Sequence, residues 1–195
     1  MSSIPSNSRG AGAPLPQSVE RVVLTGFMGS GKSTIGRSVA EQLGWRFVDL
    51  DSAIELRDGR TVARIFSESG EEAFRALETD VLAASLHERH IVLALGGGAL
   101  ETPVNRILLA SAPHTGIVLL TAGFDTLYDR CLQQVAVSTS PLPVRPLLGD
   151  RETAAARLAR RDATYRESAH VILDTTGQQP PETLNTLLRL LQDIL

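Results

Sequence analysis

Gly26-Phe27-Met28-Gly29-Ser30-Gly31-Lys32-Ser33 has the spacing G-x-x-x-x-G-K-[ST], in which a glycine-rich turn feeds a helix and successive main-chain N–H groups point at phosphate oxygens. Each part has a chemical task. The helix N-terminus adds partial positive charge, Lys32 reaches the outer phosphates, and Ser33 offers a hydroxyl to Mg²⁺. Lys plus Arg number 19, and Lys32 is the one lysine among them. A chain that otherwise uses arginine keeps a compact ammonium where a narrow phosphate nest has no room for a planar guanidinium.

Other residues suggest a second reactant beside the phosphates. Asp49-Leu50-Asp51 closes the apolar run Phe47-Val48. Residues two apart on a strand project to the same side, so both carboxylates are expected together at the carboxyl edge of a sheet, where open α/β sheets bind ligands. A Mg²⁺ ion on one and a substrate hydroxyl on the other would account for two like charges; a helix cap is the plainer reading of Asp51. Gly96-Gly97-Gly98 follows the run Ile91-Val92-Leu93-Ala94, and three residues without Cβ let the main chain approach a ligand closely, a flexible turn being the alternative. Arg75 has Glu71 four residues before it and Glu78 three after, which by spacing alone reads as a surface ion pair. Arg145 sits between Pro143 and Pro146, and Arg160, Arg161 and Arg166 form a group that by itself could be a solvated face. His87, His90, His114 and His170 lack metal-ligand spacing and receive no role.

Five short apolar runs must position these residues: Val22-Val23-Leu24, Phe47-Val48, Ile91 to Ala94, Ile117-Val118-Leu119-Leu120 and Val171-Ile172-Leu173. They read as buried strands. Helical segments are expected between them, at about 33–43, two around 52–66, then 70–88, 103–110, 124–133, 151–166 and 181–194. Ser69 with Glu72 has capping-box spacing, and Thr102-Pro103 places a cap residue before a proline at the first helical position. Strand alternating with helix implies a three-layer α/β/α domain around a five-stranded parallel sheet. From about Gln134 to Asp150 three prolines interrupt any helical period, a stretch expected to act as a lid. Residues 1–18, rich in Ser, Pro, Gly and Ala without an apolar core, are expected to form a disordered tail ahead of a single domain at 19–195.

Composition bounds the partners. A chain of 195 residues, 43% hydrophobic and 21% charged, is long enough for one core. Its formal charge of −3 provides no broad positive field for nucleic acid or an anionic membrane, so anion binding has to be local. No apolar run approaches the ~18 residues of a membrane span. The single cysteine, Cys131, reads as a buried small apolar residue and fits a reducing, cytoplasmic setting.

Taken in order, these motifs resemble the shikimate kinases, small P-loop kinases of the nucleoside-monophosphate-kinase fold. The resemblance runs from about Arg21 to Pro180. It rests on Gly26 to Thr34, Asp49-Leu50-Asp51, Phe74-Arg75-Ala76-Leu77-Glu78, Gly96-Gly97-Gly98, Arg145-Pro146-Leu147-Leu148 and Arg161-Asp162-Ala163-Thr164-Tyr165. It implies an enzyme that transfers the ATP γ-phosphate to the 3-hydroxyl of shikimate with Mg²⁺, acting as a monomer. It implies further that Asp51, Arg75, Gly97 and Arg161 bind shikimate, with Gly96, Gly98 and Glu78 in the same pocket, and that Asp51 orients or deprotonates the attacking hydroxyl. On the same resemblance Gly29 to Thr34 hold ATP, Ser33 and Asp49 support Mg²⁺, and Arg145 meets the transferring phosphate. Gln178 and Pro180 would border the adenine. The segment from Cys131 to Val144 is longer and less basic than the family's usual lid. A kinase for gluconate or a nucleoside monophosphate is the nearest rival, and a catalytically idle metabolite sensor the rival of another class. A GTPase is disfavoured because no Asn-Lys-x-Asp sequence exists in a chain with one lysine.

Overall fold

The computed structural model describes residues 8–9, 16, 18–137 and 150–192. Five parallel strands form its centre: β2 (Arg21–Thr25), β3 (Arg46–Asp49), β4 (Ile91–Ala94), β5 (Thr115–Thr121) and β6 (Val171–Asp174). A two-residue strand, β1 (Ser8–Arg9), pairs antiparallel with β6, giving the order β1-β6-β5-β2-β4-β3. The helices are α1 (Lys32–Leu43), α2 (Leu50–Asp58), α3 (Val62–Ser85), α4 (Pro103–Ser111), α5 (Phe124–Val137), α6 (Arg151–Ser168) and α7 (Pro180–Leu191), with one 3-10 turn at Ala99–Glu101.

Period-two alternation within the apolar runs makes the layers. Val23, Ile91, Leu93, Ile117, Leu119 and Ile172 face one core with Ile54, Phe74 and Leu82 of the helices. Val22, Leu24, Val92, Val118, Leu120 and Leu173 face the other, with Val39 and Leu187. A strand buried on both faces has no polar positions to spare, hence the uninterrupted apolar runs. The expected five-stranded parallel sheet and three layers are therefore present.

Three local expectations differ. Within the stretch read as a tail, Ser8 and Arg9 pair with Ile172 and Val171, adding a strand to what would otherwise be the unpaired edge of the sheet. Ser18 bonds the His114 ring at 2.8 Å. The boundary expected at Ser69 is a kink inside α3, where Gly70 turns to φ 82°, ψ 175°, and the Ser69 hydroxyl accepts Arg60 at 3.0 Å. β3 stops at Asp49, so Asp51 belongs to the first turn of α2 and not to the strand. The expected lid, apart from the end of α5 and Asp150, lies outside the described residues, and Arg145 with it.

Order in the sheet decides where a ligand can sit. The chain leaves β2 toward β4 and β3 on one side and returns to β5 and β6 on the other. The loops beyond β2 and β4 therefore diverge from neighbouring strands at a topological switch point, the place where such sheets open a crevice.

Candidate active site

β2 ends at Thr25 and the glycine-rich loop begins at once. Gly29 sits at φ +75°, and a Cβ there would run into the Leu127 carbonyl of α5, so only glycine lets the loop lie this close. Gly31 caps α1 with no side-chain hydrogen bond, leaving the first-turn amides to an anion. Lys32 arches over the loop and donates to the carbonyls of Gly26 at 2.8 Å and Phe27 at 2.9 Å. The Ser30 hydroxyl in the loop and the Thr25 hydroxyl at the end of β2 are both buried without a hydrogen-bond partner among the described residues. Buried polar atoms of this kind are rare in folded proteins and suit a site that takes an oxygen-rich ligand.

Beside the loop the Ser33 hydroxyl donates to Asp49 Oδ2 at 2.8 Å, while Asp49 Oδ1 caps Ser52 N at 3.3 Å. The cap is thus Asp49, one oxygen of which stays turned to Ser33. Two hard oxygen groups, with no imidazole or thiolate, match what Mg²⁺ takes when phosphates and water fill its remaining positions. Among the described residues there is no cluster of three or more His, Cys, Asp or Glu that could hold a metal.

At the other end of the crevice the three glycines form a floor over which four charged side chains meet. A Cβ built on Gly96 would lie 2.8 Å from Asp51 Oδ1 and 3.3 Å from Glu78 Oε1. One built on Gly98 would lie 2.6 Å from Arg75 Nη2 and 3.2 Å from Arg161 Nη2. Arg75 comes from α3 and Arg161 from α6, so two helices bring guanidinium groups to one point. Although Asp51 left the strand, the first turn of α2 still delivers it to this floor. Gly97 lies between, 3.9 Å from the Gly26 carbonyl by the same construction, which joins the floor to the phosphate loop.

Carboxylates hold the two arginines in place. Arg75 donates to Glu78 at 2.8 Å and to Glu71 at 3.2 Å, so the ion pairing read from the spacing exists and serves to aim the side chain. Glu78 is 1% exposed; burial pushes its carboxyl above the ordinary range, Arg75 opposes this, and the nearby Asp51 adds to the rise. Tyr165, one helical turn beyond Arg161, donates to the Gly97 carbonyl. Burial raises its phenol to about 12, so it remains a donor.

A cavity of about 880 Å³ opens on the far side of the phosphate loop. Gly29, Ser30, Gly31 and Thr34 line it from the loop, Gln178 and Pro180 from beyond β6, and Arg130 from α5. The structure thus brings together Asp51, Arg75, Arg161 and the glycines at one end, and the loop residues with Gln178 at the other.

Comparison with known proteins follows the same lines. The profile of the shikimate kinase family matches residues 28–192. The chain belongs to the shikimate kinase family. A shikimate kinase of Geobacter metallireducens is 41% identical over 84% of this chain and 87% of its own length, and one of Mycobacterium avium is 41% identical over 82% and 86%. A solved shikimate kinase from Acinetobacter baumannii, in complex with shikimate, superposes with a TM-score of 0.77 at 31% identity, covering 90% of this chain and 94% of that one. The kinase fold and P-loop nucleotide binding read from the sequence are those of this family.

Sequence reasoning about this family member missed two side chains. Arg130 donates to the Thr175 hydroxyl at 2.9 Å and the Thr175 carbonyl at 2.8 Å, holding the turn that leads to Gln178. Glu101 binds both Arg160 and Arg161. No spacing announces either, because their partners lie 45 and about 60 residues away.

Proposed function

We propose that this chain transfers the γ-phosphate of Mg²⁺-ATP to the 3-hydroxyl of shikimate in the cytoplasm, as a monomer, with the residues of the crevice in the following roles. The observation that carries the acceptor is the convergence of Arg75 and Arg161 on Gly98, with Asp51 beside Gly96. Two guanidinium groups at one point match a carboxylate, and a carboxylate oxygen a few residues away along the same floor matches ring hydroxyls.

Gly29 to Thr34 wrap the phosphates, and Lys32 exchanges its two carbonyl partners for phosphate oxygens. Ser33 and Asp49 hold Mg²⁺, which neutralises charge on the phosphates when bound. Arg75 and Arg161 fix the acid end of the ring, which sets the direction in which the 3-hydroxyl points. Asp51 accepts a hydrogen bond from that hydroxyl and takes up its proton as the new P–O bond forms and the bond from the γ-phosphorus to the bridging oxygen breaks, that oxygen leaving with ADP. Positioning supplies most of the acceleration, because in phosphoryl transfer the transition state needs aligned reactants and compensated charge. Arg145 is assigned to the transferring phosphate on its motif alone. Gln178, Pro180 and Arg130 border the adenosine end.

The test is ADP release by the purified chain with shikimate, gluconate or a nucleoside monophosphate, each with and without Mg²⁺. Stimulation by shikimate alone, lost without Mg²⁺, is the expected result. Equal or greater stimulation by gluconate would move the acceptor assignment to another small-metabolite kinase.

A further inference from the structure

Arg161 is gripped from one side by the floor itself. Its Nε donates to Glu101 Oε2 at 2.9 Å and its Nη2 to the same oxygen, while Glu101 Oε1 accepts Arg160 Nη2 at 2.6 Å. Glu101 closes the 3-10 turn that follows directly on the three glycines. The segment that forms the floor therefore also holds the arginine above it. Burial pushes the Glu101 carboxyl up, the Arg161 and Arg160 guanidinium groups push it down by more, and the net shift is below the ordinary range, so it stays ionised at neutral pH.

A guanidinium offers five N–H donors in one plane. Glu101 takes the Nε edge. The Nη1 end turns toward Gly97, where a Cβ would lie 3.7 Å away, and Nη2 lies 3.2 Å from the corresponding point at Gly98. A carboxylate on one edge thus fixes the plane in which the other end faces the glycine floor. The side chain of Arg161 is only 8% exposed, so water offers few alternative partners that would let it rotate.

We propose that Glu101 is a positioning residue for the acid end of the substrate: holding the Nε edge of Arg161, it sets the orientation in which the remaining N–H groups meet the substrate carboxylate, and Arg160 holds Glu101. This rests on the shikimate reading of the same floor. The opposite role, a built-in competitor that occupies Arg161 until substrate displaces it, makes the reverse prediction for KM. The geometry favours positioning, since Glu101 binds the edge formed by Nε and Nη2 from the side and leaves the Nη1 end facing Gly97 of the floor.

Steady-state kinetics of the full chain with Glu101→Gln, Glu101→Ala and Arg160→Ala decide it, with shikimate and ATP varied separately and a thermal melt for each variant. Loss of one charge-assisted contact predicts a shikimate KM raised roughly tenfold in Glu101→Ala and severalfold in Glu101→Gln. ATP KM stays unchanged and kcat within about threefold, because the contact acts on binding orientation. Arg160→Ala shifts shikimate KM in the same direction by less. A lowered melting temperature with unchanged shikimate KM would make Glu101 a structural tie only, and a lowered KM would make it a competitor; either overturns the proposal. If Glu101→Ala does not fold, the nearly isosteric Glu101→Gln still gives the answer. Failure of the unaltered chain to phosphorylate shikimate removes the substrate reading and this proposal with it, whereas normal turnover with unmoved KM in the variants removes only the role of Glu101.

Discussion

Gly98→Ala puts one methyl group against both halves of the proposed acid clamp, Arg75 and Arg161. Gly98 has φ −104° and ψ −3°, a conformation open to alanine, so the backbone carries no strain. The new Cβ would lie 2.6 Å from Arg75 Nη2, 3.0 Å from Arg75 Nη1 and 3.2 Å from Arg161 Nη2, where ordinary contact begins at 3.4 Å. Arg75 must therefore retreat by about 0.8 Å (3.4 − 2.6) and Arg161 by about 0.2 Å (3.4 − 3.2). Both are the far ends of flexible side chains, so the fold gives way cheaply. The ligand does not. A hydrogen bond of about 2.8 Å lengthened by that retreat reaches about 3.6 Å and no longer counts as one.

A charge-assisted hydrogen bond is worth roughly 1.5–3 kcal/mol, and each 1.4 kcal/mol is a factor of ten. Shikimate KM is thus expected to rise about 10- to 100-fold in Gly98→Ala. ATP KM should stay within about twofold, because the phosphate loop is untouched. Coupled ADP-release assays at varied shikimate and fixed saturating ATP measure the effect, with a melt to show that the fold persists. Gly97→Ala is the internal comparison: its Cβ finds nothing closer than 3.7 Å, so any rise in KM there reports a methyl group against the substrate and not a displaced arginine. A shikimate KM within twofold of normal in a folded Gly98→Ala protein would refute the convergence of the two arginines on the substrate.

Three further outcomes follow from the same geometry. Lys32→Ala should lower kcat by at least about 100-fold in a protein whose melt shows it still folded, since the ammonium that bonds the Gly26 and Phe27 carbonyls at rest is placed to meet developing phosphate charge in the reaction. Asp51→Asn should abolish turnover of shikimate in single-turnover assays while ATP binding, followed by titration calorimetry, persists; near-normal turnover would remove Asp51 from the proton transfer. Glu78 makes a prediction about pH. Its folded-state carboxyl titrates above the ordinary 4.5, so the folded state binds the proton more tightly than the unfolded chain, and the stability this contributes is full below 4.5 and is lost as pH rises through the folded value. Melting temperatures across pH 4 to 7 should show that loss, and Glu78→Gln should flatten it.

The sheet was legible because both its faces are buried: Ile117-Val118-Leu119-Leu120 can be nothing polar when alternate residues enter two different cores. The phosphate loop was legible because main-chain geometry dictates its glycines. Other features depend on tertiary packing, which no local pattern records. Asp51 reached the floor by a route the strand periodicity did not describe, since β3 ends at Asp49, two residues before it, where Asp49 caps Ser52 at the start of α2. Arg75 showed only its ion pairs along the helix; that Glu78 is buried, and so turns the pair into a support, requires the packing of α3 against the sheet. Glu101 and Arg130 act on partners far away in the chain, and their types alone say nothing about it.

On the proposed reading, the two ends of the crevice handle anions by different physical means. At the phosphate end the donors are backbone amides at a helix start and one ammonium, which favour negative charge from almost any approach. At the acid end each guanidinium is already tied to carboxylates, Arg75 to Glu71 and Glu78, Arg161 to Glu101. Those ties fix the planes of the forks, so that the remaining N–H groups are held at set angles. Affinity at that end then depends on whether a carboxylate arrives at the right angle with hydroxyls placed to reach Asp51. A clamp braced in this way should discriminate by shape, and its shikimate KM should depend less steeply on salt than its ATP KM, because one carboxylate carries fewer charges to screen than a triphosphate.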